Sequence, residues 1–243
     1  MGAAEGTYGR QPGGVKAAAV DGEREVALQG SGAGGALLAV IWDMDGTLID
    51  STQVVTDAYI GAVAALGGPP TTAEAVVAAY PLGPPAILLG HLLGRATTPA
   101  DVAAYLTRLR AGATAAPPYP GIETTLERLR GRVGLGVFTG ANHESAMILL
   151  EAAGLVGNFG VVVGGDDVER QKPAPDGVLA ACRALGVAPA RAAYVGDSPN
   201  DLGAARASGA RAFAAAWGHL YRPEEPADRV LARPEELLEM VGF

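Results

Sequence analysis

Cysteine is nearly absent: Cys182 is the only one in 243 residues. An intrachain disulfide is therefore excluded, and a cysteine-based zinc site has no ligands to draw on. Cys182 lies in an Ala- and Leu-rich helical pattern and reads as a small buried hydrophobe. Lysine is almost as scarce, with only Lys16 and Lys172 among 18 Lys and Arg residues. No apolar run reaches the roughly 18 residues of a membrane span. The run over 87–93 is too short and carries His91. The N-terminus lacks the charged start and apolar centre of a secretory signal, so a cytoplasmic location is expected. Positive charge is also short. A net charge of −8 argues against a nucleic-acid surface, which is normally basic. It does not argue against a phosphorylated substrate, because a bound cation reverses the sign locally.

What is present suits a globular chain, with 49% hydrophobic and 18% charged residues. The length accommodates one core domain and a smaller insert. Residues 1–35 are rich in Gly and Ala without periodicity, and 30–35 has the composition of a linker. They read as a flexible extension. The core begins near Ala36 with an apolar run over 36–42 that reads as a buried strand. It delivers Asp43-Met44-Asp45-Gly46-Thr47-Leu48. Gly46 lets the chain turn sharply, because it has no Cβ. Asp-x-Asp-Gly is also an ordinary turn sequence. Yet clustered carboxylates repel one another unless a cation or a shared proton intervenes. Carboxylates at a strand end suggest a hard, oxygen-seeking metal such as Mg²⁺.

Helical patterns over 53–66, 73–79, 86–93 and 99–111 follow, separated by Gly-Pro breaks. They predict a small helical subdomain over 51–119. From 120 the pattern alternates. Helices are expected over 122–130, 144–153, 176–185 and 199–207. Strands are expected over 133–138, 161–163, 192–195 and 210–215. A short strand and a closing helix are expected over 229–238, with Pro234 in the first helical turn. Such alternation predicts an α/β fold, a parallel sheet with helices on both faces. The core is thus expected over 36–50 and 120–243.

Three further segments carry chemistry. Val137-Phe138-Thr139-Gly140 ends an apolar stretch with a hydroxyl. Gln171-Lys172-Pro173-Ala174-Pro175-Asp176 places the one lysine outside the N-terminal segment in a proline-stiffened loop. A compact ammonium suits a buried contact to a phosphoryl oxygen or a carboxylate. The segment from Ala193 to Asp201 ends another apolar run with two acids, Asp197 and Asp201.

In this order the four motifs resemble the haloacid dehalogenase superfamily, from about Leu37 to the C-terminus. The segments Tyr119-Pro120-Gly121-Ile122 and Gly164-Gly165-Asp166-Asp167 narrow the resemblance to the phosphoglycolate phosphatase and β-phosphoglucomutase group. The resemblance implies a Rossmann-like core with an inserted helical C1 cap. It also implies an aspartyl-phosphate mechanism, with Asp43 as nucleophile and Asp45 as general acid and base. Mg²⁺ would be held by Asp43, the Asp45 backbone carbonyl and Asp197. Asp201 would be an accessory ligand or an orienting acid, or else the cap of the following helix. Thr139, Gly140, Ala141 and Lys172 would bind the phosphoryl group. Close relatives carry Asn where this chain has Gly140, and Asn142 lies two residues on. Asp166 and Asp167 read as loop residues, and His143 as a helix start. His91, Arg95 and Tyr80 are candidates for substrate selection by the cap, and His219 has no evident role.

The expected function is a Mg²⁺-dependent phosphatase for a small phosphorylated metabolite, phosphoglycolate or a sugar phosphate. The expected protein is a monomer or homodimer without nucleic-acid or membrane partners. A phosphomutase would use the same residues, and a non-catalytic binding protein would need neither nucleophile nor proton donor. A dehalogenase is disfavoured, because Asp45 supplies an acid that halide departure does not require.

Overall fold

The computed structural model describes residues 36–242, so the expected extension over 1–35 lies outside the described residues. Six strands form one parallel sheet: β1 (Ala39–Trp42), β2 (Gly134–Phe138), β3 (Val161–Val163), β4 (Ala192–Gly196), β5 (Arg211–Ala215) and β6 (Arg229–Leu231). Their order is β3-β2-β1-β4-β5-β6. The strands read as near-continuous apolar runs because both faces of the sheet are covered.

Alternate residues separate into two cores, as the pleat requires. Val40, Trp42, Val137, Val195 and Phe213 point to one face, where α5 (Ile122–Leu129) and α6 (His143–Ala152) supply Leu126, Leu129, Leu149 and Leu150. Ala39, Ile41, Phe138, Tyr194 and Ala212 point to the other, against Val178, Ala181 and Cys182 of α7 (Asp176–Ala184) and Leu202 of α8 (Pro199–Ser208). Cys182 is the buried hydrophobe its pattern indicated.

Between β1 and α5 the chain makes four helices: α1 (Thr52–Ala65), α2 (Ala73–Ala79), α3 (Pro85–Leu93) and α4 (Pro99–Gly112). Residues at helical spacing bury their common face: Ala58, Ala62 and Val63 on α1, Leu88, Leu89 and Leu92 on α3, Tyr105, Leu106 and Leu109 on α4. Tyr59 of α1 stacks on Tyr105 of α4 with ring centroids 4.2 Å apart. The chain's passages into and out of this insert are tied together. Asp50 N–H donates to Pro117 O at 3.0 Å, and Tyr119 N–H to Leu48 O at 3.0 Å.

The expected closing helix is present as a 3₁₀ segment, Pro234–Met240. So short a piece gains little against the cost of nucleating an α-helix. It is held by burial of Leu237 and Leu238 within the core that also contains Leu126 and Leu129 of α5. Among the described residues no helix is long and apolar enough to cross a membrane.

Candidate active site

β2 and β3 lie on one side of β1, β4 and β5 on the other. The strand order therefore reverses between β1 and β4, and their carboxyl ends open the crevice where open α/β sheets bind ligands. Asp43 follows β1, Thr139 follows β2 and Asp197 follows β4. The Asp43 N–H donates to Val195 O at 2.8 Å, which extends the ladder into the site. Gly46, at φ +82°, permits the turn beyond Asp43. A Cβ on Gly46 would come within 2.6 Å of Asp197 Oδ2, and one on Gly218 within 2.2 Å of Asp197 Cβ. Two glycines thus let backbone close on this carboxylate.

Lys172 bridges two of the acids. Its Nζ lies 2.5 Å from Asp43 Oδ1 and 2.7 Å from Asp201 Oδ1. The ammonium also faces the rings of Phe138 and Tyr194, at 5.3 and 5.6 Å from their centroids. Burial works against its charge, but Asp201 and Asp43 outweigh that effect and hold its pKa above the ordinary lysine range. Asp43 is 5% exposed. Burial and then the Asp201 charge push its pKa upward, with Lys172 opposing.

Asp45 accepts from the Ser51 hydroxyl on one oxygen and from Thr139 Oγ1, at 3.3 Å, on the other. Burial raises its pKa, while the Ser51 hydrogen bond and Lys172 oppose the rise. Asp197 accepts from Leu220 N–H at 2.9 Å, and its pKa is raised to about 6, chiefly by burial.

Asp201 combines both readings of its position. Its Oδ1 receives Lys172 and the Tyr194 hydroxyl at 3.0 Å. Its Oδ2 receives the N–H and hydroxyl of Ser198 in a capping box that starts α8. Two hydrogen bonds on each oxygen fill the usual acceptor capacity of a carboxylate.

Asp43, Asp197 and Asp201 each offer an oxygen within 4.8 Å of the others, all three buried. Buried hard oxygen donors with a single lysine among them suit a divalent cation. Neither sulfur nor nitrogen contributes to this set.

The remaining sequence candidates fall into two groups. Gly140, Ala141 and Tyr80 line the cleft. Ala141 N–H donates to Thr139 Oγ1 at 3.1 Å. Asn142 does not line it; its side chain caps α6 by accepting from Ser145 N–H at 3.2 Å. His143, Asp166 and Asp167 fasten the start of α6. His143 N–H donates to Asp166 at 2.7 Å, and Asp167 lies 2.9 Å from His143 Nδ1. Arg95 is turned to Asp101 at 2.7 Å, and neither it nor His91 reaches the cleft.

Several residues that line or brace the cleft carried no sequence signal of their own. Ser51 holds Asp45, Tyr194 holds Asp201, and His219 comes to 3.9 Å from Asp197. Trp217 Nε1 donates to Thr47 O at 2.9 Å, tying the β5 loop to the β1 loop. Tyr59, Tyr105 and Ser145 also line the cleft. Tyrosine placement did offer a signal for the insert side. The segment over 51–119 has four aromatic residues, all tyrosine, and three of them border the cleft.

A family model described as haloacid dehalogenase-like hydrolase matches residues 37–209. The phosphoglycolate phosphatase of Chromobacterium violaceum is 31% identical over 84% of this chain and 96% of its own length. A Dickeya dadantii protein named "Probable phosphatase IndB" is 35% identical over 74% of this chain and 81% of its own. Among solved structures, CbbY from Rhodobacter sphaeroides in complex with phosphate superposes with a TM-score of 0.74 at 28% identity. It covers 85% of this chain and 100% of its own. From its sheet order, its acid-bearing strand ends and these relatives, the chain belongs to the haloacid dehalogenase-like hydrolases, as a phosphatase of that family.

Proposed function

We propose that this phosphatase is Mg²⁺-dependent, that it acts on a small phosphorylated metabolite, and that Asp43 is its nucleophile. The observation that carries this reading is the Asp43–Lys172 contact of 2.5 Å beside Asp45 and Asp197, at the carboxyl ends of adjacent strands. Lys172 fixes the Asp43 carboxylate and offsets its charge as a phosphate dianion approaches. Asp43 and Asp197, with the Asp45 backbone carbonyl and with Asp201 behind them, would hold Mg²⁺, which supplies charge stabilisation at the transferring phosphoryl group.

The chain's own residues account for the proton traffic. An Asp43 oxygen bonds to phosphorus as the bond from phosphorus to the leaving oxygen breaks. Asp45, whose raised pKa favours the neutral acid, gives its proton to that oxygen. It then takes a proton from the water that attacks the phosphoryl-Asp43, releasing inorganic phosphate and free Asp43. The Thr139 hydroxyl and the N–H groups of Gly140 and Ala141 supply donors for the phosphoryl oxygens. Asp201 holds Lys172 in place through its filled hydrogen-bond set. The names of the relatives make phosphoglycolate one candidate substrate, and a sugar phosphate is a second.

The test is phosphate release from a panel of monoesters with Mg²⁺ and then with EDTA, followed by rapid quench and peptide mapping. Metal-dependent release with phosphate trapped on Asp43 is the expected result. Release unaffected by EDTA would remove the metal from the proposal, and trapping on another residue would remove the nucleophile.

A further inference from the structure

The cleft is a cavity of about 310 Å³ whose insert side, among the described residues, carries no charge. Val55, Tyr59, Tyr80, Pro85, Leu88 and Tyr105 form that wall. Among the described residues Lys172 is the only lysine or arginine lining the cleft, and it is held at the far end by Asp43 and Asp201. The arginines of the insert are placed elsewhere. Arg95 is paired with Asp101, Arg110 lies 3.8 Å from Glu144 on the surface, and Arg108 lies along α1 at Gly61.

The N-terminus of α3 reaches the cleft at Pro85, but proline has no N–H to offer an anion. Ala86, whose N–H follows, is not among the lining residues, and the N–H groups of Ile87 and Leu88 donate to Pro84 O at 2.9 and 3.2 Å. A second anionic group on the substrate, a carboxylate or another phosphate, would lose its water against this wall without gaining a cation.

One polar group beside this wall, on α6 of the core, lacks a partner among the described residues. Ser145 is 1% exposed and lines the cleft from α6. Its Oγ approaches the Tyr105 hydroxyl without closing a hydrogen bond, and among the described residues no other protein atom pairs with it. A buried hydroxyl left so is costly unless a ligand or water meets it.

Resting on the phosphatase reading above, we infer that the substrate's alcohol portion is uncharged and carries a flat ring, with one hydrogen-bonding group that reaches Ser145. The ring packs against Tyr80 and the edge of the stacked Tyr59–Tyr105 pair, rigid groups with few rotors to order. Nucleoside monophosphates and monoesters of aromatic alcohols belong to this class, whereas phosphoglycolate and bisphosphates do not.

The experiment measures kcat/KM on the full chain with Mg²⁺ for benzyl phosphate, uridine 5′-monophosphate, phosphoglycolate and p-nitrophenyl phosphate. Benzyl phosphate and phosphoglycolate both release poor, alkyl leaving groups, so their ratio reports the cleft rather than the chemistry. The neutral ring-bearing esters should exceed phosphoglycolate by at least about tenfold. Val55→Lys, which adds a cation to the half-buried edge of the wall, should reduce that ratio. Ser145→Ala should raise KM about fivefold for uridine 5′-monophosphate and leave benzyl phosphate unmoved. Preference for phosphoglycolate by the native protein would overturn the inference and leave the phosphatase reading standing. Release from no member, p-nitrophenyl phosphate included, would overturn both.

Discussion

The core wall of the cleft carries Asp43, Asp45, Lys172, Asp197 and Asp201, whereas the insert wall carries tyrosines, aliphatic side chains and two small hydroxyls. On the core wall the charged groups are locked. Lys172 is shared between two acids, and Asp201 receives two hydrogen bonds on each oxygen. On the insert wall the contacts are mainly apolar, and the strong ion pair of that region, Arg95–Asp101, lies outside the cleft. Under the proposed function, the difference separates reaction from selection. Charges placed at the ends of a rigid, buried sheet act at full strength because nothing must reorganise around them. A wall made of apolar contacts can change its side chains, and with them the admitted alcohol, without disturbing those charges.

The largest expected effect breaks the core wall at its proposed nucleophile. Asp43→Asn should lower kcat by at least about 1,000-fold while the far-ultraviolet circular dichroism is unchanged. Turnover near the native rate would refute the assignment. Lys172→Ala comes next, because it leaves Asp43 and Asp201 buried without their cation. It should cost about 100-fold in kcat/KM and about 3 kcal/mol of stability, read by urea unfolding. A neutral result in both would make the loop mere scaffold.

Asp45→Asn sharpens the comparison by leaving the charge network largely intact. It should slow alkyl phosphates about 100-fold and p-nitrophenyl phosphate far less, since nitrophenolate leaves without a proton. Equal losses for both esters would count against the acid role.

A smaller effect concerns acidity. The folded-state pKa of Asp197 is raised to about 6, above its ordinary value of 3.8, so the folded state binds the extra proton. Its contribution to stability is full below about pH 4 and is lost as the pH rises through about 6. In EDTA the melting temperature should therefore fall between pH 5 and pH 7, and Mg²⁺ should flatten that slope. A slope that Mg²⁺ leaves unchanged would place the ion elsewhere.

The smallest effect belongs to the insert. Asp101→Asn weakens the Arg95 pair and the capping box of α4. It should lower the melting temperature by a few degrees, with kcat/KM changed less than about twofold. A large loss of activity would show that the insert is coupled to the chemistry.

Much of the core was legible because its signals are local. An apolar run followed by Asp-x-Asp-Gly locates both a strand and its turn, and β1 with Asp43 and Asp45 lies there. The solitary lysine outside the N-terminal segment pointed to Lys172 before any neighbour was known. Asp201 shows where local reading stops, since its spacing from Ser198 marks a helix cap while its contact with Lys172 joins residues far apart in sequence. Ser51, Tyr194 and His219 were invisible for the same reason, because each matters only through a partner on another loop. Among the candidates for substrate selection, Tyr80 reaches the cleft whereas His91 and Arg95 do not. Helical periodicity identifies a buried face without saying what that face looks toward.

The sequence by itself determined the alternation of strands and helices, the helical insert after β1, and the acids at the ends of β1 and β4. Those follow from hydrophobic period, glycine and proline breaks and short motifs, all of which act within a few residues. Tertiary structure alone decided that β4 lies beside β1, that Lys172 spans Asp43 and Asp201, and that an uncharged tyrosine wall faces them. Such placements depend on packing between segments distant in the chain, whose energy comes from the joint burial of surfaces that no local pattern records.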